Sequence, residues 1–244
     1  MILYRKYGKT IEITKTQKEP SPIRRVSSSR KNGEPLAVRR ADSVRRTKRI
    51  CLRRLLSAIE ELGSPLFITL TFQGSASDVL FSSSALTRFQ RRLSISFPNS
   101  QSLFVPELSP GGRIHFHGLL FGVSQEWGDV KKGKRTISIG RERKERVFSK
   151  LWGFGFVDLL QTDGSPRLAY YVSKYVIKAS YEPFLTPLRL VRTSRGFPKP
   201  TEYRFKTESE FNYLFSRMKL RNVWEFSTYT PYLGKVSKIF YDII

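Results

Sequence analysis

The two histidines of this chain lie two residues apart in an apolar run, Gly112 to Phe121, and the other 242 positions contain none. Because side chains alternate between the faces of a β-strand, His115 and His117 are predicted to project from one face. Ile114 and Phe116 then point into the core. Two neighbouring imidazoles form half of a divalent-metal site. The simpler alternative is a pair of surface histidines on a half-exposed strand.

A turn upstream of this run determines which carboxylate faces the histidines. Pro110–Gly112 suits a three-residue hairpin loop, with proline starting a type I turn and glycine taking the position of positive φ. Such a loop places Glu107 opposite His115, and directly paired residues share a face. A loop of two or four residues would turn Glu107 to the other face. Two imidazoles and one carboxylate suit Mg²⁺ or Mn²⁺ in phosphate chemistry, so Glu107 is the expected third ligand.

The charge of the chain points to a polyanionic partner. Lys and Arg number 44 against 20 Asp and Glu, a net charge of +24, and aromatic residues make up 13% of the sequence. A basic surface with many aromatic rings suits single-stranded nucleic acid, where rings stack on bases. No GxxxxGK[ST] motif is present, so no P-loop ATPase or helicase is expected within the chain.

The cysteine content and the hydropathy pattern bear on the compartment. Cys51 is the one cysteine, so neither a disulfide framework nor a paired-cysteine zinc site is possible. There is no signal-like apolar run at the N-terminus and no apolar stretch of 18 residues. The expectation is a soluble cytoplasmic protein without a membrane partner.

Basic residues are concentrated in the first quarter of the chain and recur near its end. Residues 1–36 read as a basic flexible arm, and residues 37–62 as a helix with an apolar stripe and a face of nearly uniform positive charge. Uniform charge repels itself unless a polyanion is bound, so this face is predicted to contact DNA. The candidate DNA-binding residues are Arg45, Arg46, Arg49, Arg53, Arg113 and Arg195.

The remaining patterns predict further elements. Leu66–Phe72 alternates as a strand, with Leu66, Ile68, Leu70 and Phe72 on one face and Phe67, Thr69 and Thr71 on the other. Helices are expected at 84–97 and 142–152, and a strand at 154–160. Thr207 and Glu210 fit a capping box that opens a helix reaching to about Leu220. The aromatic-rich stretch 223–241 suggests additional strands or a docking segment.

Residues 167–180 predict a helix with two tyrosines on one face. Tyr171 and Tyr175 are four residues apart, as are Lys174 and Lys178. A tyrosine can attack phosphorus when metal and cation neutralise the phosphate, and a nearby lysine can offset the charge of the phenolate. The alternative is a helix with amphipathic tyrosines at its rim. Tyr170 is an adjacent third tyrosine.

Three elements in one order resemble the HUH endonuclease superfamily of rolling-circle replication initiators. They are the Phe-Ile-Thr-Leu-Thr-Phe strand, the His-Phe-His strand with an upstream Glu, and the Tyr-Val-Ser-Lys-Tyr-Val-Ile-Lys helix, which together span residues 66–179. The pair of tyrosines is most similar to the initiators of microviruses, which are small single-stranded DNA phages, and of related plasmids. The resemblance implies an α+β fold with a central antiparallel sheet flanked by helices, of ferredoxin or RNA-recognition-motif type, and a basic helical N-terminal extension.

The resemblance also implies an activity and a site. One tyrosine, Tyr171 or Tyr175, would attack origin DNA, become linked to the 5′ phosphate and free a 3′-OH, and the second would act when the strand is rejoined. The lysine of the motif corresponds to Lys174 or Lys178. The implied metal is divalent, and the implied partners are single-stranded origin DNA and the helicase and polymerase of a bacterial host, in whose cytoplasm the protein would act.

Three readings of function therefore remain open. The first is the site-specific nickase and ligase of rolling-circle replication, and the second is a transposase or relaxase of the same superfamily, although relaxases usually carry three histidines. The third is a non-enzymatic single-stranded DNA-binding or packaging protein. The expected organisation is an arm at 1–36, an endonuclease domain at 37–182, and a basic and aromatic extension at 183–244 that packs on the core.

Overall fold

The protein has an α+β fold of two compact units. The computed structural model describes residues 1–18, 41–74, 78–123, 130–132, 135–137, 139–230 and 233–244, with backbone alone at 41 and 130–144. One unit is Pro35–Phe197, and the other combines Met1–Glu34 with Pro198–Ile244. Each unit contains a five-stranded antiparallel sheet. The α+β class expected from the resemblance is therefore confirmed.

The elements follow the predicted order closely in the middle of the chain. In sequence they are β1 Ile2–Tyr7, β2 Thr10–Thr16, α1 Ala41–Leu62, β3 Leu66–Thr71, α2 Val79–Ser96, β4 Gln101–Leu108, β5 Ile114–Phe121, β6 Val130–Lys132, β7 Arg135–Ile137, α3 Ile139–Trp152, β8 Val157–Gln161, α4 Pro166–Ser180, β9 Arg192–Thr193, β10 Thr201–Phe205, α5 Glu208–Phe215, β11 Leu220–Thr230 and β12 Gly234–Ile243. The four helices predicted between residues 37 and 180 are all present, although 37–40 lie outside the described residues.

The sheet of the Pro35–Phe197 unit has helices on both faces. Its strand order is β8-β3-β5-β4-β9, so the histidine strand β5 lies in the centre. Helix α4 packs on β4 and β5, and α1 packs on α4. On the opposite face the ring of Phe72 lies 4.9 Å from that of Trp152 in α3, and Phe89 of α2 contacts both Trp152 and Phe104. Trp152 also donates its indole N–H to the carbonyl of Thr71 at 3.0 Å, which ties α3 to β3.

Gly118, directly after the second histidine, leaves room for a buried ring. It is paired with Phe104 on β4, and a Cβ at this position would lie 2.4 Å from the ring of Phe104 and 2.9 Å from the carbonyl of Leu103. Phe104 is fully buried and therefore has no free space into which it could rotate. The sheet can be flat at the histidines only because residue 118 has no side chain.

Gly118→Ala is therefore expected to lower the free energy of unfolding by about 1–3 kcal/mol, the usual cost of overpacking a close-packed core. Urea denaturation of the purified chain measures this loss. Gly111→Ala is the matched control, because a Cβ there meets only Ser109 Oγ at 4.0 Å. Equal stability of the two variants would contradict the packing assigned to Gly118.

The second unit joins the two ends of the chain in one sheet. Its strand order is β10-β1-β2-β12-β11, and α5 supplies Phe211 to a core that contains Tyr4, Ile11, Ile13 and Phe205. Thr207 caps α5 by accepting a hydrogen bond from the Glu210 N–H at 3.2 Å, as the capping box predicted, although the helix ends at Phe215, earlier than expected.

Two parts of the predicted organisation are wrong. Residues 2–16 are not a flexible arm, because β1 and β2 pair with strands from the end of the chain. The remainder of the predicted arm, residues 19–36, lies outside the described residues. Residues 198–244 are not an extension of the preceding domain, because they share a separate sheet and core with β1 and β2. Among the described helices, none has the length and apolar character needed to cross a membrane.

Candidate metal and tyrosine site

The hairpin before the histidine strand has the predicted three-residue loop. Ser109 and Arg113 close it, with the Ser109 N–H donating to the Arg113 carbonyl at 2.9 Å, and Gly112 adopts φ 73°. The resulting register places Glu107 opposite His115, and Val105 opposite His117. Glu107, His115 and His117 therefore project from the same face of the sheet, as the sequence predicted.

Strand β3 completes the surroundings of the histidines. Thr71 pairs with His115 and Thr69 with His117, so the polar face of β3 lies beside them. The His117 Nε2 contacts a carboxylate oxygen of Glu107, which can only accept, so Nε2 carries the proton and Nδ1 accepts from the Thr69 hydroxyl at 3.2 Å. The ring of Phe67 stacks on His117 with a centroid distance of 5.8 Å.

Helix α4 brings both tyrosines and one lysine against this face. Its buried side packs through Ala169, Val172 and Val176, which fixes the rotation of the helix. The ring of Tyr175 stacks on His117 at 4.3 Å, and its hydroxyl lies 2.6 Å from that of Tyr171. Spacing by one helical turn accounts for this contact between the two phenols.

Of the two candidate lysines, Lys178 is the one that reaches the site. Its ammonium donates to the Glu107 carboxylate oxygen that does not contact His117. Lys174 and Tyr170 are both exposed on α4. In the described residues Lys174 forms no ion pair, so it is free to meet a phosphate of a bound strand.

Burial and charge set the protonation of the site. Burial raises the pKa of Glu107, but hydrogen bonds from Lys178 and His117 outweigh it and hold the pKa below its ordinary value. Burial lowers the pKa of His115 and of His117, so both imidazoles are neutral near pH 7. Burial, the hydrogen bond with Tyr171 and the charge of Glu107 raise the pKa of Tyr175, which keeps this phenol protonated.

These shifts predict a pH dependence of stability. Both histidines have a lower pKa when folded, so as the pH falls below their ordinary value of 6.5 the unfolded chain binds protons first and the free energy of unfolding decreases. We expect this decrease between about pH 7 and pH 5 to be steeper in the native chain than in a His115→Asn/His117→Asn variant. Urea titrations at several pH values measure it, and parallel curves for the two proteins would contradict the assigned burial.

The residues partly fit a divalent cation. His115 Nε2 is buried and has no hydrogen-bond partner, so a ligand atom beside it would satisfy an otherwise unpaired group. Neutral imidazoles and an ionised carboxylate are the protonation states that metal ligands need. In the part of the chain that the structure describes, however, no three His, Cys, Asp or Glu side chains converge ready to hold a metal. Glu107 is instead engaged by His117 and Lys178.

The predicted DNA-binding arginines have different environments. Arg45, Arg46 and Arg49 are exposed on α1, and Arg113 and Arg195 are exposed in loops. Arg53 is only 9% exposed, so its prediction as part of the outward basic face is wrong. Helical periodicity turns residue 53 toward the apolar stripe that contains Leu56, and a long arginine stem is compatible with such a position.

Two neighbours of the histidines were missed as site residues. Thr69 orients the ring of His117, and Phe67 contacts both His117 and Tyr171, the latter at 5.9 Å. The alternation of Leu66–Phe72 had already placed both side chains on one face. The pairing of β3 with the histidine strand, which no local pattern reveals, was the missing information.

The comparisons with known proteins agree with this geometry. Residues 65–180 match the model of a family of replication-associated proteins, the ORF2 type, over a segment of slightly less than half the chain that runs from β3 to the end of α4. The match supports a replication initiator of the rolling-circle type. Comparison with curated proteins and with solved structures gave no significant match.

Proposed function

We propose that the Pro35–Phe197 unit is a metal-dependent, site-specific nickase that initiates rolling-circle replication on single-stranded origin DNA. The observation that carries the proposal is the contact of α4 with the histidine face, where Tyr175 stacks on His117 and Lys178 reaches Glu107. Potential nucleophile, cation and metal-ligand types therefore meet at one place. The match to a replication-associated family over the same residues gives independent support.

In the proposed reaction a tyrosine hydroxyl releases its proton and its oxygen attacks a phosphorus atom of the DNA. The new bond joins tyrosine oxygen to phosphorus, and the bond from phosphorus to the 3′ oxygen breaks. The leaving oxygen takes up a proton and becomes the 3′-OH that primes synthesis, while the 5′ phosphate stays on the tyrosine. The second tyrosine, one helical turn away, would accept the next strand when the circle is closed.

Glu107, His115 and His117 would hold the divalent metal, Mg²⁺ or Mn²⁺. Such an ion polarises the scissile phosphate and offsets the charge that develops on it. Binding it requires Glu107 to leave His117 and Lys178, after which the ammonium of Lys178 is available to the phosphate. Thr69 can support this change, because its hydroxyl can accept from Nδ1–H once Nε2 is deprotonated.

The other predicted roles follow from this assignment. The exposed arginines Arg45, Arg46, Arg49, Arg113 and Arg195 and the exposed Lys174 would contact the DNA backbone, which makes binding sensitive to salt. Strand separation and synthesis would come from a helicase and a polymerase of the host, in whose cytoplasm the protein would act. A transposase or relaxase of the same superfamily would share the nicking step.

Lys178→Met is expected to move metal affinity and cleavage in opposite directions. Removing the cation that engages Glu107 should raise Mn²⁺ affinity by about tenfold, the scale of one partly screened charge interaction. Cleavage should nevertheless fall by roughly 10²-fold, because the phosphate loses a neutralising donor. Calorimetric Mn²⁺ titration and a single-turnover cleavage assay measure the two effects.

Lys174→Met is the matched control for the titration, since it removes the same charge from the same helix one turn earlier. We expect its Mn²⁺ affinity to stay within about twofold of native. The same metal affinity for both variants would show that Lys178 does not compete for Glu107.

The nickase is tested with end-labelled single-stranded oligonucleotides tiled across the replicon that encodes the chain. With Mn²⁺ we expect cleavage at one sequence, and the upstream fragment should be extended by a DNA polymerase because it carries a 3′-OH. EDTA should stop the reaction. Tight, salt-sensitive binding of every oligonucleotide without cleavage would favour the DNA-binding or packaging protein instead.

A further inference from the structure

Three aromatic side chains form a cluster on the sheet of the second unit. The ring of Trp224 lies 4.7 Å from that of Phe226 on the same strand and 5.3 Å from that of Phe240 on β12. The ring planes are inclined by only 33° and 36°, so the three rings present a shared surface. We call Trp224, Phe226 and Phe240 the aromatic platform.

A β-bulge places Trp224 on this platform. Asn222 pairs with Tyr241, but Trp224 pairs with Phe240, so Val223 is the extra residue. In an uninterrupted ladder Trp224 would lie opposite Ile239, which packs against the hydrophobic core on the other face. Bulges commonly re-aim a side chain at functional positions. This one moves a tryptophan out of the core face and next to Phe240.

The platform is accessible and lies in a basic segment. Trp224 is 55% exposed, in contrast to the fully buried Trp152. Residues 219–244 contain four Lys or Arg against two Asp or Glu. One of these carboxylates, Glu225, points away from the platform because it pairs with Ile239, and the other, Asp242, is neutralised by Arg221 at 3.3 Å.

We infer that the aromatic platform binds single-stranded DNA by stacking with its bases, as a second binding surface outside the Pro35–Phe197 unit. Exposed rings on an antiparallel sheet can stack two or three unpaired bases, and stacking is independent of sequence because every base has a π-face. The net charge of +24 favours this polyanion over an apolar protein partner.

The inference does not rest on the nicking chemistry. The platform lies outside the segment 65–180 that matches the replication-associated family, and it needs neither metal nor tyrosine nucleophile. Both units belong to one chain, so a strand held by the platform adds affinity to any strand held by the other unit. Its natural role would be to retain the displaced single strand during replication.

The test is equilibrium binding of the full chain to a fluorescent oligo(dT) of about 16 nucleotides in EDTA, which excludes cleavage. We expect Trp224→Ala to weaken binding by a factor of roughly 5 to 100, and Trp224→Phe to restore most of the affinity. The slope of log affinity against log salt should not change, because stacking releases no counterions. Tyr229→Ala is the matched control, since Tyr229 is exposed on the same strand but pairs with Lys235 on the opposite face.

A second measurement does not depend on how well the alanine variant folds. Oligo(dT) should quench tryptophan emission in the native chain and leave it nearly unchanged in Trp224→Phe. Equal quenching in both proteins, or equal affinity of native and Trp224→Ala chains, would overturn the inference. Sedimentation that shows a native dimer and a Trp224→Ala monomer of unchanged DNA affinity would also overturn it, and would assign the platform to self-association.

Discussion

Replacing His115 and His117 together by alanine is expected to abolish metal-dependent DNA cleavage while single-stranded DNA binding stays within a fewfold of native. The two imidazoles are neutral, lie on one face with Glu107 and provide two of the three proposed ligands. Loss of several kcal/mol of charge stabilisation at the phosphate corresponds to a rate reduction of about 10³-fold or more. Single-turnover cleavage with Mn²⁺, together with anisotropy of the uncleaved DNA in EDTA, measures both quantities.

The single variants sharpen this result. His115→Asn removes the imidazole whose Nε2 is buried and unpaired, and it leaves the contact between His117 and Glu107 intact. We expect it to weaken Mn²⁺ binding with little change in melting temperature. A double variant that still cleaves DNA faster with Mn²⁺ than with EDTA would remove the histidines from the metal site.

Tyr171→Phe/Tyr175→Phe should lower the rate of strand cleavage by as much as about 10⁶-fold, the scale of removing a nucleophile from a covalent enzyme. Each substitution deletes one oxygen and keeps the ring, so Tyr175 can still stack on His117 and the fold should be preserved. Either single variant should retain partial activity if both hydroxyls can attack. Cleavage of the labelled origin strand on a denaturing gel measures the rate.

Tyr170→Phe and Tyr181→Phe are the matched controls for this pair. Both tyrosines are exposed, one within α4 and one directly after it, and neither faces His117. Their cleavage rates should equal the native rate. Full loss in Tyr170→Phe, or none in the double variant, would move the nucleophile away from the predicted pair.

Much of the site could be predicted because its determinants are local. A strand alternates with period two and a proline-glycine loop of three residues fixes the register, so Glu107 could be placed opposite His115 from a short run of consecutive residues. The pairing of Tyr171 with Tyr175 follows from helical spacing alone. The metal and the chemistry remain predictions, since they depend on groups that the chain binds.

What was missed depends on contacts between distant residues. Strand β2 pairs with β12 from the far end of the chain, and no local pattern distinguishes such a strand from a basic arm. Arg53 sits among charged neighbours in sequence but is buried, because packing of α1 decides which side of the helix faces inward. The bulge at Val223, which moves Trp224 beside Phe240, likewise appears only when both strands are seen.

The measurement that tests the central claim most directly is identification of the covalent adduct. The chain is incubated with its origin strand and Mn²⁺, digested with trypsin, and analysed by mass spectrometry for peptides that carry nucleotides. Cleavage after Arg167, Lys174 and Lys178 separates Tyr171 and Tyr175 into different peptides. We expect a phosphodiester-linked nucleotide on peptide 168–174 or 175–178, dependent on Mn²⁺. Cleaved DNA with a free 5′ phosphate and no modified peptide would contradict a tyrosine nickase.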